Sequence, residues 1–163
     1  MSAASGITFR HDLRPGDLGY IIHLHGLLYS QEYNFDSSFE TYVAVPLAEF
    51  ARSHTDREQI WIAEDEGKII GTIAVVTHSD LQAQLRWLLV LPQYRGSGLG
   101  RKLMTEAILF SREHGYTSAF FWTVNILRVA AQLYRKLGFK ITEEITHRIW
   151  GVHLTEQRYE LKL

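Results

Sequence analysis

The chain has 163 residues, enough for one domain or a cramped pair. Lys plus Arg number 17 and Asp plus Glu number 18, a formal net charge of −1 that lacks the basic excess of a nucleic-acid-binding module but leaves room for a local small-anion site. The absence of cysteine excludes disulfides, thiolate catalysis and cysteine-based zinc sites, while no run of about 18 apolar residues is available to cross a membrane and the first ten residues lack the apolar core of a signal peptide, so the expected location is the cytoplasm.

No linker, repeat or low-complexity tract interrupts the sequence, and a single domain over residues 1–163 is expected. Residues Ile7–Arg10 read as a short strand. After the Pro15-Gly16 turn, Asp17 is a good helix N-cap, and Leu18, Ile21, Ile22, Leu28 and Tyr29 form one helical stripe. Ser37 and Glu40 have capping-box spacing, with Phe39, Val43, Leu47 and Phe50 on one face behind them; Pro46 is expected to kink or end that helix. Ile60–Ala63 and Ile69–Thr77 read as a hairpin around Asp65-Glu66-Gly67-Lys68, followed by a strand from about Gln84 to Leu91. Gly98–His114 reads as a helix with Leu99, Leu103, Ala107 and Phe110 inward. A buried strand Ala119–Val124, a short helix Val129–Leu137, and closing strands Phe139–Ile145 and Arg158–Leu163 complete the chain. Antiparallel pairing in the middle and a β-α-β crossover after it indicate an α/β (α+β) layered domain.

The chemistry concentrates in Leu88–Arg101. A hydrophobic strand ends at Pro92, and a glycine-rich turn then opens a helix. Gly96, Gly98 and Gly100 remove Cβ atoms where a ligand could approach the main chain. The first-turn N–H groups of the helix lack internal partners, and with the helix dipole they suit a phosphate or pyrophosphate; Arg95 and Arg101 add positive charge. A P-loop is excluded because Gly100 leads to Arg101-Lys102 rather than Lys-Ser/Thr. A dinucleotide fingerprint is excluded because Arg101 stands at its third glycine. The plain alternative is a flexible turn capping a helix.

Arg95-Gly96-Ser97-Gly98-Leu99-Gly100 resembles the acetyl-CoA motif Q/R-x-x-G-x-G/A of the GNAT acetyltransferase superfamily. Ala130-Ala131-Gln132-Leu133-Tyr134-Arg135-Lys136-Leu137-Gly138-Phe139 is similar to the family's downstream motif. His25–Tyr29, Glu32-Tyr33, Trp122-Thr123 and the tail from His147 through Trp150-Gly151 to Leu161 further resemble a bacterial subgroup. That subgroup includes the acetyltransferase half of fusions with MarR-type regulators; this chain has no room for the regulator half and would be a stand-alone version.

The resemblance implies a GNAT fold, a mostly antiparallel mixed sheet of six to seven strands flanked by about four helices. It implies acetyl-CoA as cofactor and direct acetyl transfer to a primary amine. Main-chain groups of Leu89, Val90 and Leu91 would hold the pantetheine arm. Amides from Arg95, Gly96, Ser97, Gly98, Leu99, Gly100 and Arg101 would hold the pyrophosphate. A main-chain N–H at Leu89 or Val90 would polarise the thioester carbonyl. Tyr134 would protonate the departing thiolate, a phenol of ordinary pKa about 10 serving a thiol near 8.5; the alternative is a tyrosine packed in the core. The family often has Asn where this chain has Leu127, and Asn125 either replaces that coenzyme contact or ends the preceding strand.

The base that deprotonates the amine is not singled out. Glu32, His25 and His147 are candidates, each with a plain structural alternative: a solvated helix-end carboxylate, a core histidine bonded to backbone, and an organiser of a Thr146–Trp150 loop. Tyr29, Tyr33, Phe35, Phe39 and Tyr42 either line an acceptor pocket or form a helix–loop–helix core. His23 and His25, two residues apart on a helix, point to different faces, and no metal is expected. Asp56-Arg57-Glu58 reads as a solvated loop. The rival function is a non-catalytic acyl-CoA-binding or partner-binding domain, and a second is transfer of a longer acyl group or to a hydroxyl. No nucleic-acid or membrane partner is expected, and a homodimer through the closing strands is an analogy to the fold.

Overall fold

The computed structural model describes residues 6–163. Seven strands and four α-helices run in the order β1 (Ile7–Arg10), α1 (Asp17–Tyr33), α2 (Ser37–Ser53), β2 (Gln59–Asp65), β3 (Lys68–Thr77), β4 (Gln82–Val90), α3 (Leu99–Glu113), β5 (Ser118–Val124), α4 (Arg128–Lys136), β6 (Lys140–Ile149) and β7 (Val152–Lys162). A three-residue 3-10 turn, Pro92–Tyr94, precedes α3. The strands hydrogen-bond in the order β1-β2-β3-β4-β5-β7-β6, with β1 to β4 antiparallel and β4 parallel to β5. This is the mixed, mostly antiparallel sheet with four helices that the sequence leads one to expect.

The described residues form two compact units: 6–12 with Thr55–Phe121 and Glu160–Leu163, and Leu13–His54 with Trp122–Tyr159. In the first unit, β2 and β3 are apolar on both faces, and Ile62, Ile73, Leu103 and Met104 are almost fully buried. The inward stripe of α3 comprises Leu99, Leu103, Ala107 and Phe110, and Trp61 meets Phe110 edge-on at 5.3 Å. Arg57 and Glu58 are pinned rather than solvated, while Asp56 beside them is exposed as expected. The Arg57 guanidinium lies 4.2 Å from the Tyr116 ring centroid and donates to the His114 and Asp80 carbonyls, while Glu58 accepts from the Thr55 and Thr77 amides.

The second unit is organised by aromatic rings. Phe35 and Phe39 are buried and pack on Trp150 at 5.1 and 5.0 Å, and Tyr29 joins both. Trp150-Gly151 forms a two-residue hairpin turn with φ of 53° and 80°, the double left-handed geometry of tight β-hairpins. Tryptophan is not a turn residue by propensity, so the sequence pattern suggests a loop over residues 146–150 and ends β6 four residues early. Burial of the indole against Phe35 and Phe39 holds the unfavourable φ.

Three helix details also differ from expectation. Helix α1 is capped by Gly16 at φ 93°, and Asp17 is its first residue, its carboxylate accepting from the Arg14 amide at 2.7 Å. The cap of α2 is Asp36, which accepts from the Ser38 amide at 2.9 Å, one residue before the expected Ser37. Glu40 therefore does not close a capping box; its carboxylate lies against Gly26 on α1. Pro46 sits inside an unbroken α2, because Val43, Leu47 and Phe50 are buried on either side of it. The proline has no N–H to offer the carbonyl four residues before it, at Tyr42, a position that faces solvent.

Gly71 of β3 permits the tightest approach in the first unit. A Cβ there would come within 3.0 Å of the Leu89 carbonyl oxygen and 3.3 Å of methyl carbons of Leu99 and Leu103. The glycine thus lets α3 settle onto β3 and β4 beside the glycine-rich turn. Gly71→Ala is expected to destabilise the protein by about 1–3 kcal/mol through overpacking. Urea denaturation checks this, and an unchanged midpoint would contradict the close approach.

Candidate functional site

Strand β4 is irregular where the sequence places the chemistry. Arg86 pairs with Ala74 and Leu89 with Thr72, so Trp87 and Leu88 oppose the single residue Ile73. Trp87 adopts φ 56°, and the Thr72 hydroxyl, fully buried, donates to the Trp87 carbonyl at 2.7 Å. That hydrogen bond satisfies a carbonyl turned out of the ladder, and it fixes a β-bulge. Nothing in the sequence flags Trp87 or Thr72, since an alternating strand pattern contains no sign of an inserted residue.

On the other edge of β4, parallel pairs with β5 run from Gln82↔Ser118 to Gln84↔Phe120. The Leu91 amide donates to the Ile70 carbonyl at 2.9 Å and is committed to β3. Alternation along the strand turns the main-chain groups of Val90 and Leu88 to the opposite edge. The Val90 carbonyl accordingly accepts from Arg95 Nε at 3.3 Å. Of Leu89, Val90 and Leu91, Val90 is the residue with outward main-chain polar groups.

The turn from Arg95 to Gly98 is exposed. Gly96 and Gly98 adopt φ of 77° and 89°, and a Cβ at either would meet nothing within 4 Å. Gly98 caps α3 without any side-chain bond, so the first-turn amides of Leu99, Gly100 and Arg101 are uncapped by side chains. Ser97 donates its hydroxyl to the Tyr94 carbonyl at 2.5 Å. The space, the left-handed glycines and the 15-residue helix behind them fit a bound pyrophosphate.

Tyr134, Thr123, Tyr29, Tyr33 and Tyr159 lie in the second unit. Tyr134 is 5% exposed on α4 and meets the Tyr159 ring edge-on at 5.4 Å. Burial, reinforced by the neighbouring phenols Tyr29, Tyr159 and Tyr33, pushes its pKa well above the ordinary value, partly offset by a hydrogen bond with the Thr123 side chain. The hydroxyl therefore keeps its proton at every working pH.

His25 is 3% exposed, and its Nδ1 lies 2.9 Å from the Ile21 carbonyl, so Nδ1 carries the proton. Nε2 is a buried acceptor without a partner among the described residues. Desolvation pushes its pKa down to about 4, against the carbonyl contact, which raises it. His23 is exposed on the other side of α1, as the spacing requires. Among the described residues no three His, Asp or Glu side chains gather as a metal site.

Glu32 is exposed near the end of α1, and Tyr29 and Tyr33 form part of the aromatic cluster. His147 lies within β6 rather than in a loop, and its Nε2 is 2.7 Å from Glu156 of β7. Asn125 exchanges two hydrogen bonds with Thr155, its amide donating to the Thr155 carbonyl at 2.9 Å and its Oδ1 accepting from the Thr155 amide at 3.0 Å. Its side-chain oxygen is thus engaged on β7, and of the side chain Nδ2 is left to offer a coenzyme.

Comparison with known proteins agrees with this geometry. Residues 56–141 match the family model for the acetyltransferase (GNAT) domain. The chain is 32% identical to an N-acetyltransferase of Schizosaccharomyces pombe over 73% of its own length and 74% of that protein, and 34% identical to human N-acetyltransferase 8B over 56% and 42%. It spans about half the length of the first curated animal relatives. In structure it resembles yncA of Salmonella typhimurium, solved with its cofactor acetyl-CoA, at TM-score 0.76 and 18% identity over 97% of this chain and 94% of that one. The chain belongs to the GNAT acetyltransferase family.

The buried His25 gives a pH prediction. Its folded pKa of about 4 lies below the unfolded value of 6.5, so only the unfolded chain takes up a proton between them. This contribution is complete above pH 6.5 and lost as pH falls to 4, about 3 kcal/mol in all. His25→Asn, which retains a donor near the Nδ1 position, is expected to flatten the fall in urea-denaturation stability between those pH values. An identical slope in both proteins would contradict the burial.

Proposed function

We propose that residues 1–163 act as one acetyl-CoA-dependent N-acetyltransferase domain, transferring acetyl directly to a primary amine. The observation that carries this reading is the adjacency in sequence and space of the bulged β4 and the open glycine turn. One supplies outward main-chain groups for an extended pantetheine arm, the other an anion cradle for its pyrophosphate. Acetyl-CoA supplies the acetyl group as a thioester. The Val90 N–H is the donor best placed on β4 for the thioester carbonyl oxygen, where it stabilises the charge that develops there. Leu99, Gly100 and Arg101 offer amides to the pyrophosphate, and the Arg95 and Arg101 guanidiniums complement its charge.

The amine nitrogen bonds to the acetyl carbon, the carbon–sulfur bond breaks, and the amine loses one proton while the sulfur gains one. We assign the donation to Tyr134. Burial keeps its phenol protonated but also makes it a weaker acid than a free tyrosine, so its proton moves only as the sulfur acquires negative charge. His25 is 3% exposed, shut away from an incoming amine, and suits a buried hydrogen-bond acceptor. Glu32 and His147 remain the candidates for proton removal, with Tyr29 and Tyr33 on the acceptor side. The motif resemblance to the MarR-associated subgroup supports a bacterial lineage, while human and fungal proteins stand among the curated relatives of this chain.

Two outcomes test the proposal. Calorimetric titration with CoA is expected to give micromolar binding that Gly98→Trp abolishes; absence of binding to the unaltered protein would reduce the glycine turn to a helix cap. Tyr134→Phe is expected to lower kcat by about a hundredfold with CoA affinity unchanged. Equal kcat in the two proteins would remove Tyr134 from the chemistry.

A further inference from the structure

The exposed glycine turn makes few contacts of its own, yet its amides must sit in one place to recognise a diphosphate. One of its attachments to the rest of the fold runs through Tyr94. Tyr94 ends the 3-10 turn Pro92–Tyr94, and its amide donates to the Leu91 carbonyl at 2.9 Å. Its own carbonyl accepts from the Ser97 hydroxyl at 2.5 Å, inside the glycine turn. Its phenol donates to Asp65 Oδ2, also at 2.5 Å. Asp65 is the last residue of β2, and the left-handed pair Glu66 and Gly67 (φ 49° and 77°) turns the chain directly after it. Its backbone is paired with both Ile7 of β1 and Lys68 of β3, so the carboxylate stands on a fixed strand end.

We infer that the Tyr94–Asp65 hydrogen bond is a latch that positions the glycine turn for the diphosphate of the coenzyme, making Tyr94 and Asp65 positioning residues for donor binding. The inference rests on the coenzyme reading of the site. The bond is short and spans 29 residues of sequence, and it ties the strand end of β2 to the segment that enters the glycine turn. The carboxylate opposite the hydroxyl also holds the Tyr94 phenol above its ordinary pKa, so the donor is protonated through the neutral range. Neither residue needs to touch the acetyl group or the amine. Their effect is confined to ligands that carry the diphosphate.

The test is a double-mutant cycle read by calorimetry with CoA and by kinetics with two donors, acetyl-CoA and S-acetylpantetheine, the second lacking the diphosphate. Tyr94→Phe and Asp65→Ala are each expected to weaken CoA binding about tenfold, the effect of losing one hydrogen bond to a charged group. The double variant is expected to be no weaker than either single one, and Asp65→Asn, which keeps an acceptor oxygen, to recover most of the affinity. The ratio of kcat/KM for acetyl-CoA to that for S-acetylpantetheine is expected to fall about tenfold in Tyr94→Phe, the same hydrogen bond being lost. An unchanged Kd in Tyr94→Phe, multiplying effects in the double variant, or an unchanged donor ratio would each overturn the latch. If the unaltered protein bound CoA and the variant bound equally well, only the latch would fall. If the unaltered protein bound no CoA, the coenzyme reading would fall and the latch with it.

Discussion

A β-strand offers polar main-chain groups on both edges, and burial normally obliges the fold to pair all of them. Strand β4 pairs with β3 from Ala83 to Val90, and its Gln82, Ala83 and Gln84 pair in parallel with Ser118, Ala119 and Phe120 of β5. The bulge at Trp87 and Leu88 interrupts the ladder with β3. It inserts one residue, increases the twist and re-aims the last residues of the strand, and the buried Thr72 hydroxyl satisfies the carbonyl that the insertion displaces. The β4 part of the coenzyme proposal rests on this bulge, because the inserted residue shifts which of the residues after it face β3 and which face outward.

The glycine turn depends in its turn on its surroundings. Gly71 clears room for α3 to pack on β3 and β4, so the helix N-terminus begins where β4 ends. Gly96 and Gly98 then take left-handed conformations that a side chain would strain, facing open space. A helix start of this kind is electrostatically prepared for an anion before any ligand arrives. The near balance of charge over the chain is consistent with that arrangement, since the attraction is built from local dipoles and two arginines rather than from net charge.

The legibility of the sequence varied with the range of the cause. Apolar periodicity and glycine placement located nearly every element, because each is set by residues adjacent in the chain. Strand β1 and the inward stripe of α3 appear as expected. Features decided by distant partners did not show. The Trp150 turn is held by Phe35 and Phe39, the continuity of α2 through Pro46 by buried neighbours, and the Arg57 anchor by Tyr116. At the candidate site, the glycine turn and Tyr134 were visible as motifs. Thr72, Trp87, Asp65 and Tyr94 were not, because their roles are hydrogen bonds between segments about 15 and 29 residues apart. His25 was visible as a residue but not as a neutral, desolvated one.

The most direct test is hydrogen exchange of main-chain amides in the presence and absence of acetyl-CoA. Ligand addition is expected to slow exchange in two neighbouring segments, Leu88 with Val90 and the amides of residues 96–101, while Leu91, already bonded to Ile70, changes little. Binding that left both segments exchanging as in the free protein would contradict the coenzyme site on β4 and the glycine turn.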